Sequence, residues 1–202
     1  DLCRPGRVLA VLGPFREQRE QDRTRQLHAL LARIGQMVAS RVDADVRFAV
    51  YVAEQSNDAR KFNRGQLLNL AFRTARADHG AALASAIFHD CDLLPPPSLF
   101  GWYARAPRRG QPMHLAGSSS WVKYAHLSGY DFFGGVTAFH PADFEACNGY
   151  PNDFWGWGME DDALRLRASA CGADRAGVLR PPAEAGRYED LDSVSMLELL
   201  NQ

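Results

Sequence analysis

Short apolar runs alternate with amphipathic stretches along the first half of the chain, and this alternation constrains the fold most. Arg7 to Gly13 is an apolar run stopped by a glycine-proline pair, which predicts a buried strand. Between residues 20 and 40, apolar side chains recur at three- and four-residue steps, which is typical of an amphipathic helix. Residues 46–53 alternate and are β-branched, so they predict a second strand. This order favours a parallel βαβ unit.

The alternation continues for one more round and then stops at an acidic tripeptide. Residues 62–76 have a helical apolar period, and residues 84–89 predict a third buried strand. Asp90-Cys91-Asp92 and the prolines after it cannot extend that strand, because proline lacks a backbone donor and carboxylates resist burial. The chain is therefore expected to be an α/β protein with Asp90 and Asp92 at the carboxyl edge of its sheet, where open α/β sheets bind ligands.

The second half of the chain shows weaker patterns. Residues 101–129 are irregular, and residues 132–139 predict a strand entered through a glycine pair. Residues 141–146 suit a short helix, and residues 148–159 suit a loop that closes over a ligand, because they combine glycine, proline and large aromatics. Residues 160–171 begin with acids and precede a glycine, as a capped helix does.

Composition excludes several classes of protein. The 202 residues predict one domain, and 23 basic against 24 acidic residues argue against general capture of nucleic acid. No apolar stretch approaches the ~20 residues that a membrane-spanning helix needs, and the start shows no secretory signal, so this segment is expected to make no membrane contact. The four cysteines form no C-x-x-C pair, which argues against a zinc knuckle or a redox motif. Both two disulfides and buried free thiols remain compatible with their spacing.

Two segments carry residues suited to chemistry. Asp90 and Asp92, flanking one residue at a strand end, can bind a hard divalent cation and the phosphates that it bridges, although two solvated aspartates in a turn would have the same sequence. In the octet Trp155 to Asp162, tryptophans separated by single glycines offer flat faces to a sugar, and the acids after them can supply a general base. The alternative for the octet is a core tryptophan pair before an ordinary acidic helix start.

Six motifs in this order resemble the β-1,4-galactosyltransferases, which are nucleotide-sugar enzymes with the GT-A fold. His89 and Cys147 resemble the branch that transfers galactose to xylose on proteoglycan cores. The motifs are Pro14-Phe15-Arg16, Phe62-Asn63-Arg64 with Leu67-Leu68-Asn69, Asp90 to Pro95, Phe133 to Val136, Asn148-Gly149-Tyr150 and Trp155 to Asp162.

The resemblance implies a single Rossmann-like nucleotide-diphospho-sugar transferase domain over residues 1–202, with a mixed, mostly parallel sheet. Residues 5–95 would bind UDP, and residues 96–195 would form the acceptor site and lid. The implied reaction is inverting, metal-dependent transfer of galactose from UDP-galactose to a saccharide or glycoconjugate hydroxyl, forming a β-1,4 linkage. The implied compartment is the Golgi lumen for a eukaryotic protein with an anchor beyond this segment, and the cytoplasm for a microbial one.

The resemblance also implies residue roles. Asp92 would hold Mn²⁺, with Mg²⁺ as the alternative, and Asp161 would be the general base with Glu160 beside it. Trp157 would close over the donor. The implied donor residues are Pro14, Phe15, Arg16, Arg19, Phe62, Arg64, Asp90, Phe132, Gly134, Gly135 and Trp157, and the implied acceptor residues are Trp157, Gly158, Glu160, Asp161 and Asp162.

The chain departs from the family pattern at two places. Family members complete the metal shell with Met-x-x-His or His-x-His, but no histidine follows His140, so either Asp190 or Asp192 replaces it or the site is inactive. The arginine usual two places after Arg16 is a glutamine, although Arg19 lies next to it. These departures leave a catalytically silent carbohydrate- or nucleotide-sugar-binding domain as an alternative.

The donor sugar has its own alternatives, UDP-N-acetylgalactosamine and UDP-glucose. Phe132 stands where galactose-specific relatives usually carry tyrosine and N-acetylgalactosamine-using relatives carry a smaller aliphatic residue. The retained ring is expected to favour UDP-galactose, unless Phe132 only packs in the core of its strand.

Overall fold

The computed structural model describes residues 6–18, 21–40, 45–116, 132–182, 185 and 187–192. Within these ranges, helices and strands alternate as far as the third strand and become short and irregular after it. The elements are β1 Arg7–Phe15, α1 Arg23–Ala39, β2 Val46–Glu54, α2 Arg64–His79, β3 Leu83–His89, β4 Leu93–Leu94, α3 Phe100–Tyr103, β5 Met113–His114, β6 Val136–Phe139, α4 Pro141–Ala146, α5 Glu160–Ala170 and β7 Glu189–Asp190.

The main sheet has the strand order β2-β1-β3-β6-β5. The three long strands run parallel, while β6 pairs antiparallel with both β3 and β5. The predicted mixed, mostly parallel α/β sheet is therefore confirmed. A second, two-stranded sheet pairs β4 with β7 antiparallel, and it brings Asp190 opposite Leu93. This small sheet places the end of the described chain beside the residues that follow β3.

The core lies on both faces of the main sheet because β1 and β3 are buried on both sides. On one face, Leu68 and Phe72 of α2 pack with Phe88 and Phe144. On the other face, Leu30 of α1 packs among residues that include Ile87 and Tyr103. Burial of each large apolar side chain contributes roughly 1.5–3 kcal/mol. The start of α2 is fixed by Asn63, whose side chain accepts a hydrogen bond from the backbone N–H of Gln66.

The second half differs from expectation in two respects. The strand predicted over residues 132–139 covers only β6, because Gly135 has φ 79°, a left-handed conformation outside the extended range of a regular strand. The stretch 101–129, predicted to be irregular, contains most of α3 and the short strand β5, and its residues 117–129 lie outside the described residues. Three other elements follow prediction closely, namely the helix over 141–146, the loop before residue 160 and α5.

The cysteines of the described chain are thiols. Cys91, Cys147 and Cys171 are free, and the Sγ atoms of Cys147 and Cys171 lie 3.0 Å apart. No disulfide therefore joins any two of these three residues, and Cys3 lies outside the described residues. In the same ranges, no helix combines the length and the apolar character that a bilayer crossing requires.

Candidate active site

Three acidic side chains converge on Arg64, the first residue of α2. Its Nε lies 2.6 Å from Oδ1 of Asp90, which follows β3. Its Nη1 lies 2.8 Å from Oδ1 of Asp161 and 3.4 Å from Oε1 of Glu160, both in the first turn of α5. One guanidinium thus joins the Asp90–Asp92 segment to the acidic helix start, although these two segments are far apart in sequence.

The electrostatics of this cluster favour a proton on Asp161. Burial is the largest cause and raises the pKa of Asp161 to about 8; Arg64 opposes the shift, while Glu160 and Asp90 add to it. Three carboxylates surround one guanidinium, so negative charge is in excess. A carboxyl whose pKa lies near neutral pH is suited to proton transfer.

Glycine at position 134 allows the carboxylate to approach the backbone. A Cβ atom there would lie 2.6 Å from Oδ2 of Asp161 and 2.8 Å from the ring of Phe132, closer than real Cβ contacts. Asp161 is therefore held by Arg64 on one oxygen and packed against Gly134 on the other. Beside it, Glu160 is buried, and its Oε2 has no hydrogen-bond partner within the described residues.

A second acidic cluster lies around Arg23, the first residue of α1. Nη1 of Arg23 lies 3.0 Å from Oδ2 of Asp92, and Nη2 lies 3.3 Å from Oδ2 of Asp192. The backbone N–H of Leu191 donates to the carbonyl of Asp92 at 2.8 Å, which holds the two acidic segments together. Asp190 accepts a hydrogen bond from the backbone N–H of Asp192 through its side chain. Asp92 and Asp192 therefore converge on one cationic group.

The donor set at this second cluster suits a hard divalent ion. The pKa of Asp92 is raised to about 6, and burial is the largest cause. The negative charge of Asp90 raises the pKa further, whereas the positive charge of Arg23 lowers it. Within the described ranges, no three or more histidine, cysteine, aspartate and glutamate side chains gather as a complete metal site. Mg²⁺ is often held by one or two carboxylates together with substrate phosphates, and Mn²⁺ also prefers oxygen ligands. Asp92 and Asp192 fit such a partial shell.

The tryptophan-glycine segment lies at the surface. Trp155 and Trp157 are 38% and 44% exposed, so the alternative of a core tryptophan pair is wrong. Gly156 and Gly158 have φ values of 98° and 97°, which only glycine adopts without strain. The segment is tied to the second motif by a 2.8 Å hydrogen bond from the backbone N–H of Gly156 to the carbonyl of Phe62.

The first motif lies beside the second. Arg16 follows β1 and donates from Nη1 to the carbonyl of Arg60 at 2.7 Å, while its guanidinium lies 5.6 Å from the ring centre of Phe62. Pro14 and Phe15 are the buried last residues of β1. The carboxyl end of β1 is therefore next to the start of α2. Arg19 lies outside the described residues.

Two family models match the chain. One, described as the N-terminal region of glycosyl transferase group 7, covers residues 1–99, and the other, described as the N-terminal domain of galactosyltransferase, covers residues 114–193. β-1,4-Galactosyltransferase 6 of Rattus norvegicus is 36% identical over 190 residues, which are 94% of this chain and 44% of that relative. The chain belongs to the β-1,4-galactosyltransferase family. It spans less than half the length of the curated relatives that it matches first.

Solved structures of β-1,4-galactosyltransferases share the fold. A mutant of Drosophila β-1,4-galactosyltransferase 7, in complex with manganese, UDP-Gal and xylobiose, matches with TM-score 0.70 and 30% identity over 87% of this chain and 65% of that chain. The catalytic domain of the same enzyme in complex with xylobiose matches with TM-score 0.73 and 26% identity over 97% of this chain and 79% of that chain. The predicted GT-A fold is therefore confirmed.

The structure places six of the seven acidic residues that the β-1,4-galactosyltransferase resemblance predicts in two groups of three. The first surrounds Arg64, and Gly135 and Phe132 adjoin it through Gly134. The second surrounds Asp92. Phe132 precedes β6 and is only partly buried, whereas its neighbour Phe133 is fully buried, so Phe132 is not a core residue of that strand. Gly158 lies two residues before α5, and Asp162 lies in the first turn of that helix.

Sequence reasoning missed two features of this family member. It gave no role to Arg23, because a single arginine in an arginine-rich amphipathic helix carries no local signal. It also missed a buried hydrogen-bond chain in which Nε2 of His89 lies 2.7 Å from the hydroxyl of Tyr103, which lies 2.8 Å from that of Tyr188. Burial lowers the pKa of His89 to about 4, so its ring is neutral. This chain anchors the segment that carries Asp190 and Asp192 to the end of β3.

Proposed function

We propose that the chain carries out inverting, metal-dependent transfer of galactose from UDP-galactose to a saccharide or glycoconjugate hydroxyl, forming a β-1,4 linkage. The observation that carries the proposal is the ion-pair cluster in which Arg64 joins Asp90 to Glu160 and Asp161. It brings the donor-side and acceptor-side motifs of the family to one point. The activity of the similar proteins and the UDP-Gal and xylobiose in a solved relative support the same reaction.

Asp161 acts as the general base. Its carboxylate accepts the proton of the acceptor hydroxyl, whose oxygen then attacks the anomeric carbon from the face opposite the leaving UDP, so the configuration inverts to β. Arg64 donates a hydrogen bond to Oδ1 of Asp161, and Oδ2 packs closely against Gly134, so the base is already positioned before the reaction. The unpartnered buried oxygen of Glu160 supplies an acceptor-binding contact, together with Asp162.

Asp92, with Asp192 or Asp190, would hold Mn²⁺ or Mg²⁺. When bound, such an ion acts as a Lewis acid that neutralises the negative charge of the leaving diphosphate. Asp90 remains a supporting residue, because its carboxylate is already paired with Arg64 and lies on the side of the base.

Trp157 and Gly158 form the lid of this site. Exposed tryptophan on a backbone with two left-handed glycines can change position at small steric cost. Closure over the donor would exclude water, which otherwise hydrolyses UDP-galactose. Residues 5–95, with Pro14 to Arg16, Arg19, Phe62 and Arg64, form the UDP-binding part, and residues 96–195 form the acceptor and lid part.

The direct test is a UDP-release assay with UDP-galactose, UDP-N-acetylgalactosamine and UDP-glucose, with a xyloside acceptor and with or without Mn²⁺. We expect release that requires acceptor and Mn²⁺ and is fastest with UDP-galactose, with a β-linked product by NMR. The alternative of a catalytically silent binding domain predicts calorimetric binding of UDP-sugar without turnover on any donor. Faster turnover with another donor would keep the enzyme class and change the sugar.

Replacing Phe132 by leucine is expected to raise N-acetylgalactosamine transfer relative to galactose transfer. The phenylalanine ring lies against Gly134 beside Asp161 and is expected to crowd the acetamido group at C2 of the sugar. Loss of the tyrosine hydroxyl found in relatives removes one hydrogen bond worth ~0.5–1.5 kcal/mol, so the wild-type preference for galactose is moderate. The measurement is kcat/KM for both donors in both proteins. An unchanged donor ratio would remove Phe132 from the donor site.

The pH dependence of kcat/KM should follow the ionisation of Asp161, the proposed base. Because the pKa of Asp161 is raised to about 8, the carboxyl is mostly protonated at pH 6 and mostly ionised at pH 9. A base works only when ionised, so kcat/KM at saturating Mn²⁺ should rise with pH through this interval and level off above it. A flat profile between pH 6 and 8 would mean that Asp161 is already ionised there or is not the base.

A further inference from the structure

We propose that Arg23 is a built-in competitor for the divalent ion: its guanidinium fills the cation position between Asp92 and Asp192 in the donor-free protein and has to leave before a metal binds. The inference deepens the proposed function, on which it rests in taking Asp92 as a metal ligand. It assigns a role to a residue outside the six family motifs, and it names Asp192 as the second ligand.

The guanidinium is held at a defined position. Besides Asp92 at 3.0 Å and Asp192 at 3.3 Å, it donates from Nε to Oε1 of Gln21 at 2.8 Å and from Nη1 to Oε1 of Gln26 at 2.7 Å. Gln26 is buried and also donates to the carbonyl of Leu191 at 3.2 Å. Gln21 and Gln26, at and just before the start of α1, therefore orient the guanidinium toward the two carboxylates.

The same position is largely shielded from water. The side chain of Arg23 is 14% exposed, and those of Asp92 and Asp192 are 19% and 3% exposed. Charge interactions in such a place are screened much less than at the surface. A guanidinium supplies one positive charge to two carboxylates, whereas a divalent ion supplies two.

Arg23 and a divalent ion cannot both occupy this place. A guanidinium within hydrogen-bond distance of both carboxylates would lie within a few ångströms of a metal on the same oxygens, and like charges at such a distance repel strongly. Metal binding therefore includes the cost of breaking two ion pairs of Arg23. This cost lowers the affinity of the donor-free protein for the metal, and removal of the guanidinium should restore it.

The test is a Mn²⁺ titration without nucleotide, in which free Mn²⁺ is followed by electron paramagnetic resonance. Arg23→Gln keeps a polar side chain and removes the charge; we expect its Kd for Mn²⁺ to be at least about tenfold lower than that of the wild type, the order expected when one member of a buried charge pair is removed. The matched control is Arg25→Gln, because Arg25 is exposed and, among the described residues, forms its ion pair with Asp22, which directly precedes the same helix. The control should bind Mn²⁺ like the wild type.

A second substitution identifies the ligand. Asp192→Asn in the Arg23→Gln background should reverse the gain in Mn²⁺ affinity, whereas reversal by Asp190→Asn alone would overturn the role of Asp192. Thermal unfolding shows whether each variant is folded. If Arg23→Gln does not fold, Arg23→Lys replaces it, because an ammonium cannot bond both carboxylates as the planar guanidinium does, and its Mn²⁺ affinity should lie above that of the wild type.

Failure of this inference differs from failure of the proposed function. Equal or weaker Mn²⁺ binding by folded Arg23→Gln, with wild-type galactose transfer that depends on Mn²⁺, overturns the competitor role and leaves the function in place. Absence of Mn²⁺ binding by both proteins, with UDP present as well, overturns the metal-dependent function itself.

Discussion

Replacing Asp161 by asparagine is expected to lower kcat by about 10²–10⁴-fold, the usual contribution of a general base, while UDP and Mn²⁺ bind almost normally. Asparagine keeps the shape and can still accept the hydrogen bond that Arg64 donates to Oδ1 of Asp161. It cannot take up the proton of the acceptor hydroxyl. The loss should therefore be in the chemical step, measured as kcat at saturating donor and acceptor and as the rate constant of a single turnover with enzyme in excess over the donor.

The matched control is Asp78→Asn, which also removes one carboxylate. Asp78 lies near the far end of α2 from Arg64 and accepts a hydrogen bond from the hydroxyl of Tyr51. The Asp78→Asn variant should therefore have the kcat of the wild type. A near-wild-type kcat for Asp161→Asn would transfer the role of base to Glu160, the buried neighbour with the unpartnered oxygen, or to Asp162.

Replacing Asp92 by asparagine should abolish most Mn²⁺-dependent turnover, with a fall of at least about 100-fold. Changes to residues that merely support a ligand already cost about 10–100-fold, and Asp92 is proposed as the ligand itself. The amide keeps the shape of the side chain and removes the charge that faces the cation. Mn²⁺ dependence of kcat, titrated over several orders of magnitude in metal concentration, measures the effect.

Three comparison variants make this result specific. Asp90→Asn should impair turnover through Arg64 rather than through metal affinity, because Asp90 is paired with that guanidinium. Asp190→Asn and Asp192→Asn are compared by the Mn²⁺ concentration that each needs for half-maximal activity. The variant that needs the higher concentration has lost the residue that completes the metal shell. Full Mn²⁺-dependent activity of Asp92→Asn would make the metal assignment wrong.

Arg64 connects the two halves of the proposed mechanism. The family resemblance marks it as a donor-binding residue, and its ion pair with Asp161 also orients that carboxyl and neutralises part of the charge around it. Arg23 has a parallel place at the start of α1, where it faces Asp92 and Asp192. Each cluster of carboxylates is thus organised by an arginine at the first position of a helix that follows a parallel strand.

Much of the fold could be predicted because it depends on local patterns. The apolar runs of β1 and β3 and the periodicity of α1 and α2 are visible within windows of ten to twenty residues, and these elements lie where expected, with ends that differ by up to three residues. Prediction was poorer for β5 and α3. Both are short, with two and four residues, so no period can develop, and β5 depends on backbone hydrogen bonds to β6 on one side and to Leu179 on the other.

The sequence by itself determined the α/β class, the acidic residues at the end of β3 and at the start of α5, and the family, since motif order survives without coordinates. Only the tertiary structure decided how these residues combine. Asp161 meets Arg64 across 97 positions, and Arg23 meets Asp92 and Asp192 across 69 and 169 positions. Ion pairs over such distances leave no local pattern, because they depend on which strand ends and helix starts the sheet order brings together. The same carboxylates that the sequence marks for a metal therefore prove to be held by an arginine.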